Sequence, residues 1–288
     1  MPLKNTIKEI VVLEVSEMKT RVLAAAVLLP ALLIVILFLP KIVTALLFGV
    51  MAAIAAYELL YGTRMVTRPR LVIESMAAAF CVSLWSFFGA QRAWFLLIVL
   101  VLYGILFLEM MLDREGIPFS QTAVCMAAGL LIPYLLTSLV RIYSGTQGKY
   151  LIFTTFVAAF LSDTGAYFTG RALGKHKLAP KISPNKTVEG VVGGIAAAVL
   201  GMLLYCAVMH FAFGFRVNYG YALAYGTLGS LGAVFGDLSF SVIKRQAGIK
   251  DYGNLIPGHG GILDRFDSMM VVGPMMELLL ILMPLAVR

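Results

Sequence analysis

Residues 187–213 read TVEGVVGGIAAAVLGMLLYCAVMHFAF, a run that contains no Lys, no Arg and a single acid, Glu189. A continuous apolar run of this length can cross a hydrocarbon core of about 30 Å as an α-helix. A strand of a membrane barrel would alternate apolar and polar residues instead. The run therefore predicts a membrane-spanning helix.

The same pattern recurs along the whole chain of 288 residues. Hydrophobic residues make up 60%, charged residues 13%, and the mean hydropathy is +0.92, whereas a soluble domain carries about 25% charge. We therefore predict an all-α, polytopic integral membrane protein with about nine transmembrane helices. The other eight candidate spans are Val22–Leu39, Ile42–Tyr61, Leu71–Gly89, Trp94–Met111, Phe119–Ile142, Tyr150–Ala166, Tyr221–Val242 and Phe266–Val287.

The positive charges are distributed unevenly between alternate loops. The N-tail and every second loop after it hold 17 of the 23 Lys and Arg residues. Because Lys and Arg collect in cytoplasmic loops, we expect a cytoplasmic N-terminus and an external C-terminus. The basic loops after the sixth and eighth spans then share the cytoplasmic face. We expect N-terminal membrane helices with a cytoplasmic N-tail in residues 1–150, and a catalytic membrane region with two cytoplasmic loops in residues 151–288.

The first half of the chain has isolated acids at apolar depth or near helix ends, namely Glu58, Glu74 and Glu109. Acids inside a membrane are energetically unfavourable and are often functional. These three stand alone in the sequence, so hydrogen bonding between helices, or a place near the interface, is the simpler interpretation.

A first polar block, residues 162–190, reads SDTGAYFTGRALGKHKLAPKISPNKTVEG. It opens with Asp163 at the predicted end of a span and continues into a cluster of cationic residues around His176. Lys186 follows just before the next helix. Lys side chains and helix N-termini both bind phosphate. An ordinary positive-inside loop is the alternative, but it does not require the accompanying acids, glycines and prolines.

A second polar block, residues 236–267, reads GDLSFSVIKRQAGIKDYGNLIPGHGGILDRFD. Asp264 and Asp267 are three residues apart, which places both carboxylates on one face of a helix. With Asp237 they could hold a hard cation through oxygen. Small residues around His259 let backbone N–H groups approach an anion. Acids for metal beside bases for phosphate are what phosphoryl or nucleotidyl transfer needs.

The second block closely resembles the signature of the phosphatidate cytidylyltransferase family, and the first block is similar to the upstream block of that family. The resemblance implies transfer of CMP from CTP to phosphatidic acid, which yields CDP-diacylglycerol and pyrophosphate for phospholipid biosynthesis. It also implies a metal-dependent enzyme with Mg²⁺, together with K⁺ in a mixed centre. His259 would donate a hydrogen bond or hold its loop, and these two roles stay open.

The two blocks supply every candidate site residue. The candidate catalytic residues are Asp237, Asp264, Asp267, Lys244, Arg245 and His259. The candidate substrate-binding residues are Asp163, Lys175, Lys186, Lys250, Gly260, Gly261 and Arg265. The candidate metal ligands are Asp237, Asp264 and Asp267.

We expect CTP, phosphatidic acid and the lipid bilayer as partners, and no nucleic acid. The oligomeric state stays open, with a homodimer as one alternative. The expected location is the plasma (inner) membrane of a bacterium, with the active site facing the cytoplasm. A secondary transporter is one alternative, but it would not need dense loops of acids and bases on one face. A CDP-alcohol phosphotransferase is the other, and its D-G-x-x-A-R pattern does not occur in this sequence.

Overall fold

The computed structural model of the protein describes residues 26–28, 30–256, 258 and 260–287. Predictions for the N-tail, for the start of the first span and for His259 lie outside the described residues. The first half contains α1 (Ala26–Phe38), α2 (Lys41–Tyr57) with a π-helical turn (Glu58–Gly62), α3 (Pro69–Phe87), α4 (Arg92–Leu112), α5 (Phe119–Met126) with a second π-helical turn (Ala127–Leu131), α6 (Ile132–Leu136) and α7 (Ser138–Ser144).

The second half adds six helices and four short strands. They are α8 (Gly148–Leu151), α9 (Phe153–Leu173), β1 (Lys177–Ala179), β2 (Ser183–Thr187), α10 (Val188–Phe213), β3 (Arg216–Val217), α11 (Tyr219–Gln246), α12 (Ile262–Phe266), α13 (Met269–Leu282) and β4 (Ala286–Val287). β1 pairs with β2, and β3 pairs with β4, both antiparallel.

The chain is an all-α polytopic membrane protein. Within the described residues, seven helical segments are long and apolar enough to cross a membrane, and the shorter helices α1 and α13 occupy the first and ninth predicted positions. Helix length therefore confirms seven of the nine predicted spans. The β3–β4 pair joins the loop after α10 to the residues after α13. Both ends thus lie at one face, as expected if α11 and α13 cross in opposite directions.

Local sequence explains where α10 and α11 begin and end. Thr187 accepts a hydrogen bond from the amide of Gly190 at 3.1 Å, which caps α10. Asn218 caps α11 in the same way, by accepting from Gly220 and Tyr221. Gly214 ends α10 in the left-handed region, with a φ of 72° that glycine adopts without strain. Thr187 and Gly214 thus fix the two ends of the long apolar helix α10, and Asn218 fixes the start of α11.

Glycines on α10 and α11 lie where neighbouring helices approach closely. A Cβ on Gly194 would lie 2.8 Å from the carbonyl oxygen of Ser162, and one on Gly226 would lie 2.5 Å from the Cα of Val199. Small residues at helix contacts allow this approach in membranes. The glycine pattern therefore serves helix packing.

The structure departs from the sequence predictions at two span boundaries, and it adds a hairpin that was not predicted. Asp163 does not end its span, because α9 continues to Leu173. The loop after the sixth span is a β-hairpin that contains Lys186. The last span does not begin at Phe266, because α12 ends there and a break at Asp267–Ser268 separates it from α13.

A buried ion pair links the two halves of the chain. Arg141 of α7 donates from Nε and Nη2 to the two carboxylate oxygens of Glu277 in α13, both at 2.7 Å. Its Nη1 also donates to Ser86 and to the carbonyl oxygen of Tyr134. A bidentate pair of this kind is geometrically specific, so it fixes α13 against α3 and α7.

The course of α9 gives a test of topology. Lys149 and Lys181 are both exposed, beyond opposite ends of a helical segment that is about 30 Å long or more. In a background without the exposed Cys81, we expect Lys149→Cys and Lys181→Cys to react with a membrane-impermeant thiol reagent from opposite sides. Labelling of both from the same side would exclude a crossing by α9.

Candidate functional site

Charged residues from both polar blocks line one cavity of about 530 Å³. Asp163 comes from α9, Asp237 from α11 and Asp264 from α12, and Asp267 lies at the break before α13. The wall also includes Lys244, Arg265 and Asp251, and its apolar side is formed by Leu28, Leu32, Phe156, Phe160, Phe266 and Met269, together with Ile256. The cavity thus presents carboxylates and cations beside a surface suited to acyl chains.

An ion pair joins the two blocks directly. Lys186 Nζ of β2 lies 2.6 Å from Asp237 Oδ2 of α11, and both side chains are partly exposed. Arg245 adds a second link, because its Nε donates to the carbonyl oxygen of Ile182 in the hairpin at 3.3 Å. The blocks, distant in sequence, therefore meet at one end of the helical bundle.

Lys244 provides the buried positive charge of the site. Its Nζ lies 2.9 Å from Asp264 Oδ1 and 3.9 Å from Asp267 Oδ2. It also lies 5.5 Å from the ring centroid of Tyr252, within the range of a cation–π interaction. The two carboxylates therefore face one lysine, as their spacing predicts.

Asp264 is the most fully bonded acid of the site. Its side chain is 1% exposed. Oδ1 accepts from Lys244, and Oδ2 accepts from the amides of Tyr252 at 2.8 Å and Gly261 at 3.0 Å. Both oxygens are thus used by protein donors. The contacts of Asp264 fit an organising role better than the predicted role of metal ligand.

Asp267 has a different electrostatic environment. Its Oδ1 accepts from the amide of Ser268 at 2.7 Å. Burial and the charge of Asp237 raise the pKa of Asp267 to about 7, against the opposing effects of Lys244 and Ser268. The lysine therefore neutralises only part of the negative charge that surrounds this carboxyl.

The chemistry of the donor set allows a test of the expected Mg²⁺ centre. Among the described residues, no group of three or more His, Cys, Asp or Glu is arranged closely enough to form a metal site. Asp163, Asp237 and Asp267 nevertheless line one cavity. Carboxylate oxygens are the ligands that hard divalent cations prefer. The residue types therefore fit Mg²⁺, with Asp163 in place of Asp264.

Other predicted site residues lie outside the lining of the cavity. Lys175 and Lys250 are exposed. Arg245 donates to backbone carbonyls of Ile182 and Ile249. The amide of Gly261 is occupied by Asp264, and Gly260 turns the chain with a φ of 83°. Roles in substrate binding or catalysis for these residues stay predictions.

Three contributors were missed from the sequence. Ser241 donates to Asp237 Oδ1 at 3.1 Å, and Tyr252 holds Asp264 through its amide. Glu58, from α2's π-helical turn, accepts from the amides of Ile262 and Leu263. Of these three residues, only Glu58 stood out in the sequence, as an acid at apolar depth. Its partners Ile262 and Leu263 lie far along the chain, so the contact itself could not be predicted.

The contacts of Asp264 give a test of its organising role. In Asp264→Asn, one acceptor oxygen of the side chain is replaced by an NH2 group, which cannot accept a hydrogen bond. This group faces either Lys244 or the amides of Tyr252 and Gly261, so at least one buried contact is lost. We expect destabilisation by about 1–3 kcal/mol, measured as a lower apparent Tm in detergent. Asp251→Asn, at an exposed acid on the same cavity, is the control. Equal melting of wild type and Asp264→Asn would contradict the role.

Comparison with known proteins identifies the family to which the sequence belongs. The model of the Cytidylyltransferase family matches residues 19–283. A Bacillus subtilis protein named phosphatidate cytidylyltransferase is 34% identical over 270 residues, which cover 92% of this chain and 98% of that relative. Proteins of the same name from Staphylococcus haemolyticus and Staphylococcus aureus are both 40% identical, over 60% and 59% of this chain. These matches span 64% and 63% of the staphylococcal proteins. The chain belongs to the cytidylyltransferase family.

Proposed function

We propose that this chain is a phosphatidate cytidylyltransferase, which converts CTP and phosphatidic acid into CDP-diacylglycerol and pyrophosphate. The observation that carries the proposal is the cavity in which acids of both blocks and cations of the second block meet an apolar wall, with Lys186 of the first block paired to Asp237 of its lining. Phosphatidic acid needs a charged surface for its phosphate and an apolar surface for its acyl chains. The triphosphate of CTP needs only the charged surface. The names of the Bacillus and Staphylococcus relatives support the same reaction.

The chemistry requires one displacement at phosphorus. A phosphate oxygen of the lipid attacks the α-phosphorus of CTP, a new P–O bond forms, and the bond to the pyrophosphate breaks. Lys186, Lys244 and Arg265 are placed to bind phosphate oxygens and to offset the charge of two anionic substrates. Positioning and electrostatic stabilisation supply most of the catalysis in such reactions.

Asp163, Asp237 and Asp267 would hold Mg²⁺, which would neutralise charge on the triphosphate when bound. Asp264 would act through its contacts, by fixing Lys244 and the amides of Tyr252 and Gly261. Positive charge from Lys186 and Lys244 lies beside these carboxylates. The lysines therefore bind phosphate near the acids that bind the cation. A companion K⁺ remains a prediction from the family resemblance.

We propose that the protein lies in the plasma (inner) membrane of a bacterium and that its active site faces the cytoplasm. The charge distribution of the loops supports this orientation, because the hairpin with Lys186 and the segment after α11 belong to the basic set of loops. Cytoplasmic CTP would then reach the cavity directly. Homodimer formation remains a prediction.

Radiolabelled CTP separates this proposal from the alternatives. With α-labelled CTP and phosphatidic acid in detergent and Mg²⁺, we expect label in an organic-soluble lipid and release of pyrophosphate. Diacylglycerol in place of phosphatidic acid is the control and should yield no labelled lipid. A transporter would produce no labelled lipid, and a CDP-alcohol phosphotransferase would consume CDP-diacylglycerol rather than form it. Either result would overturn the proposal.

The ion pair between the blocks predicts distinct kinetic effects. Lys186→Ala removes a cation that acts on phosphate already present in the ground state, so we expect a KM for CTP or phosphatidic acid raised about tenfold. Asp237→Ala removes charge needed as pyrophosphate leaves, so we expect kcat to fall at least about a hundredfold. Lys149→Ala, far from the cavity, is the control. Unchanged parameters in Lys186→Ala would restrict the site to the second block.

A further inference from the structure

Glu58 forms a long-range contact that the reaction chemistry above does not use. It lies at the start of the π-helical turn after α2 and is 3% exposed. Its Oε1 accepts from the amide of Ile262 at 3.0 Å, and its Oε2 accepts from the amide of Leu263 at 2.8 Å. Both amides belong to the first turn of α12, about 205 residues further along the chain.

The surrounding backbone is shaped to receive this carboxylate. A Cβ on Gly261 would lie 2.4 Å from Glu58 Oε1, and a Cβ on Gly253 would lie 2.8 Å from the same oxygen. A side chain at either position would displace the Glu58 carboxylate from this place. On the other side, a Cβ on Gly62 would lie 2.2 Å from the carbonyl oxygen of Tyr252. The π-helical turn and the segment 252–263 thus fit together closely.

The bonded amides lie directly beside the residues of the site. Leu263 precedes Asp264, and α12 continues through Arg265 to the break at Asp267. α12 has only five residues, and a helix this short is not stable by itself. Its orientation must come from external contacts. Asp264 supplies contacts from within the segment, and Glu58 supplies them from the N-terminal half.

We propose that Glu58 is a positioning residue for cytidylyl transfer: it holds the first turn of α12 and thereby sets Asp264, Arg265 and Asp267 against Lys244 and Asp237. This inference rests on the proposed function for its kinetic readout. A displacement of about 1 Å at reacting groups can reduce a rate about a hundredfold. Loss of one of the two bonds should therefore reduce turnover, while Lys186 and Lys244, which lie on β2 and α11, stay in place to bind phosphate.

Glu58→Gln is the sharpest variant, because it keeps the size and removes one of the two acceptor oxygens. We expect kcat per folded molecule to fall about tenfold or more, with KM for CTP and for phosphatidic acid within about twofold of wild type. We also expect faster amide hydrogen exchange in the segment 261–267 and unchanged exchange in α9 and α10. Glu109→Gln, at another acid of the N-terminal half, is the matched control and should leave both readouts unchanged.

The outcomes separate this inference from the proposed function. Wild type without activity on CTP and phosphatidic acid would refute the function, whereas the exchange measurement would still test the contact. Active wild type with a normal kcat in Glu58→Gln would overturn the positioning role alone. A raised KM with unchanged kcat would overturn it too. If the variant does not fold, amide hydrogen exchange in the wild-type protein tests the contact instead. Rapid exchange of the Ile262 and Leu263 amides would show that Glu58 does not hold them.

Discussion

The buried contact between Lys244 and Asp264 is the interaction on which the site depends. The two residues are 8% and 6% exposed, in a protein whose main solvent is hydrocarbon. Removal of one partner of a buried pair leaves an uncompensated charge and is destabilising. The pair therefore ties the end of α11 to α12. Through the second oxygen of Asp264, it also fixes the amides of Tyr252 and Gly261.

The charge balance of the cavity follows from this arrangement. Lys244 satisfies Asp264 at 2.9 Å and reaches Asp267 only at 3.9 Å, while Lys186 pairs with Asp237. Burial and the charge of Asp237 raise the pKa of Asp267, and Lys244 opposes this rise only in part. A cavity with both free negative potential and nearby lysines suits a cation and phosphates together. Neither a purely basic loop nor a purely acidic cluster would combine these properties.

The sequence predicted the architecture well because lipid imposes a simple rule. Continuous apolar runs must become helices, and seven of the nine predicted runs are confirmed as helices able to span a membrane. Boundaries were less predictable. α9 extends beyond Asp163 because residues 167–173 are mainly helix-compatible, with Arg171 bonded back to Tyr167. The break after α12 could not be read from the sequence, because neither Asp267 nor Ser268 is a proline or a glycine.

The candidate site was predictable in part for a related reason. The spacing of three residues indicated that the side chains of Asp264 and Asp267 point to the same side of the chain. The position of Lys244 near both carboxylates agrees with this. Their different environments were not predictable, since these depend on backbone amides from Tyr252 and Gly261. Arg245 shows the same limit, because its bonds to backbone carbonyls depend on how the hairpin packs against α11. Residue type predicts a chemistry, and only packing decides which member of a cluster performs it.

The boundary predicted at residue 150 has a physical consequence for the N-terminal helices. Among the polar contacts that cross it are the Arg141–Glu277 pair at α13 and the Glu58 contact at α12. With alternating helices, the ends of the second and fifth spans that carry Glu58 and Arg141 lie toward opposite membrane faces. α12 and α13 are therefore held from the N-terminal half near both faces. Since α12 has only five residues, it has too little packing surface to orient itself. The N-terminal spans, which contribute few of the charged residues of the cavity, thus act as the frame against which its acids are aligned.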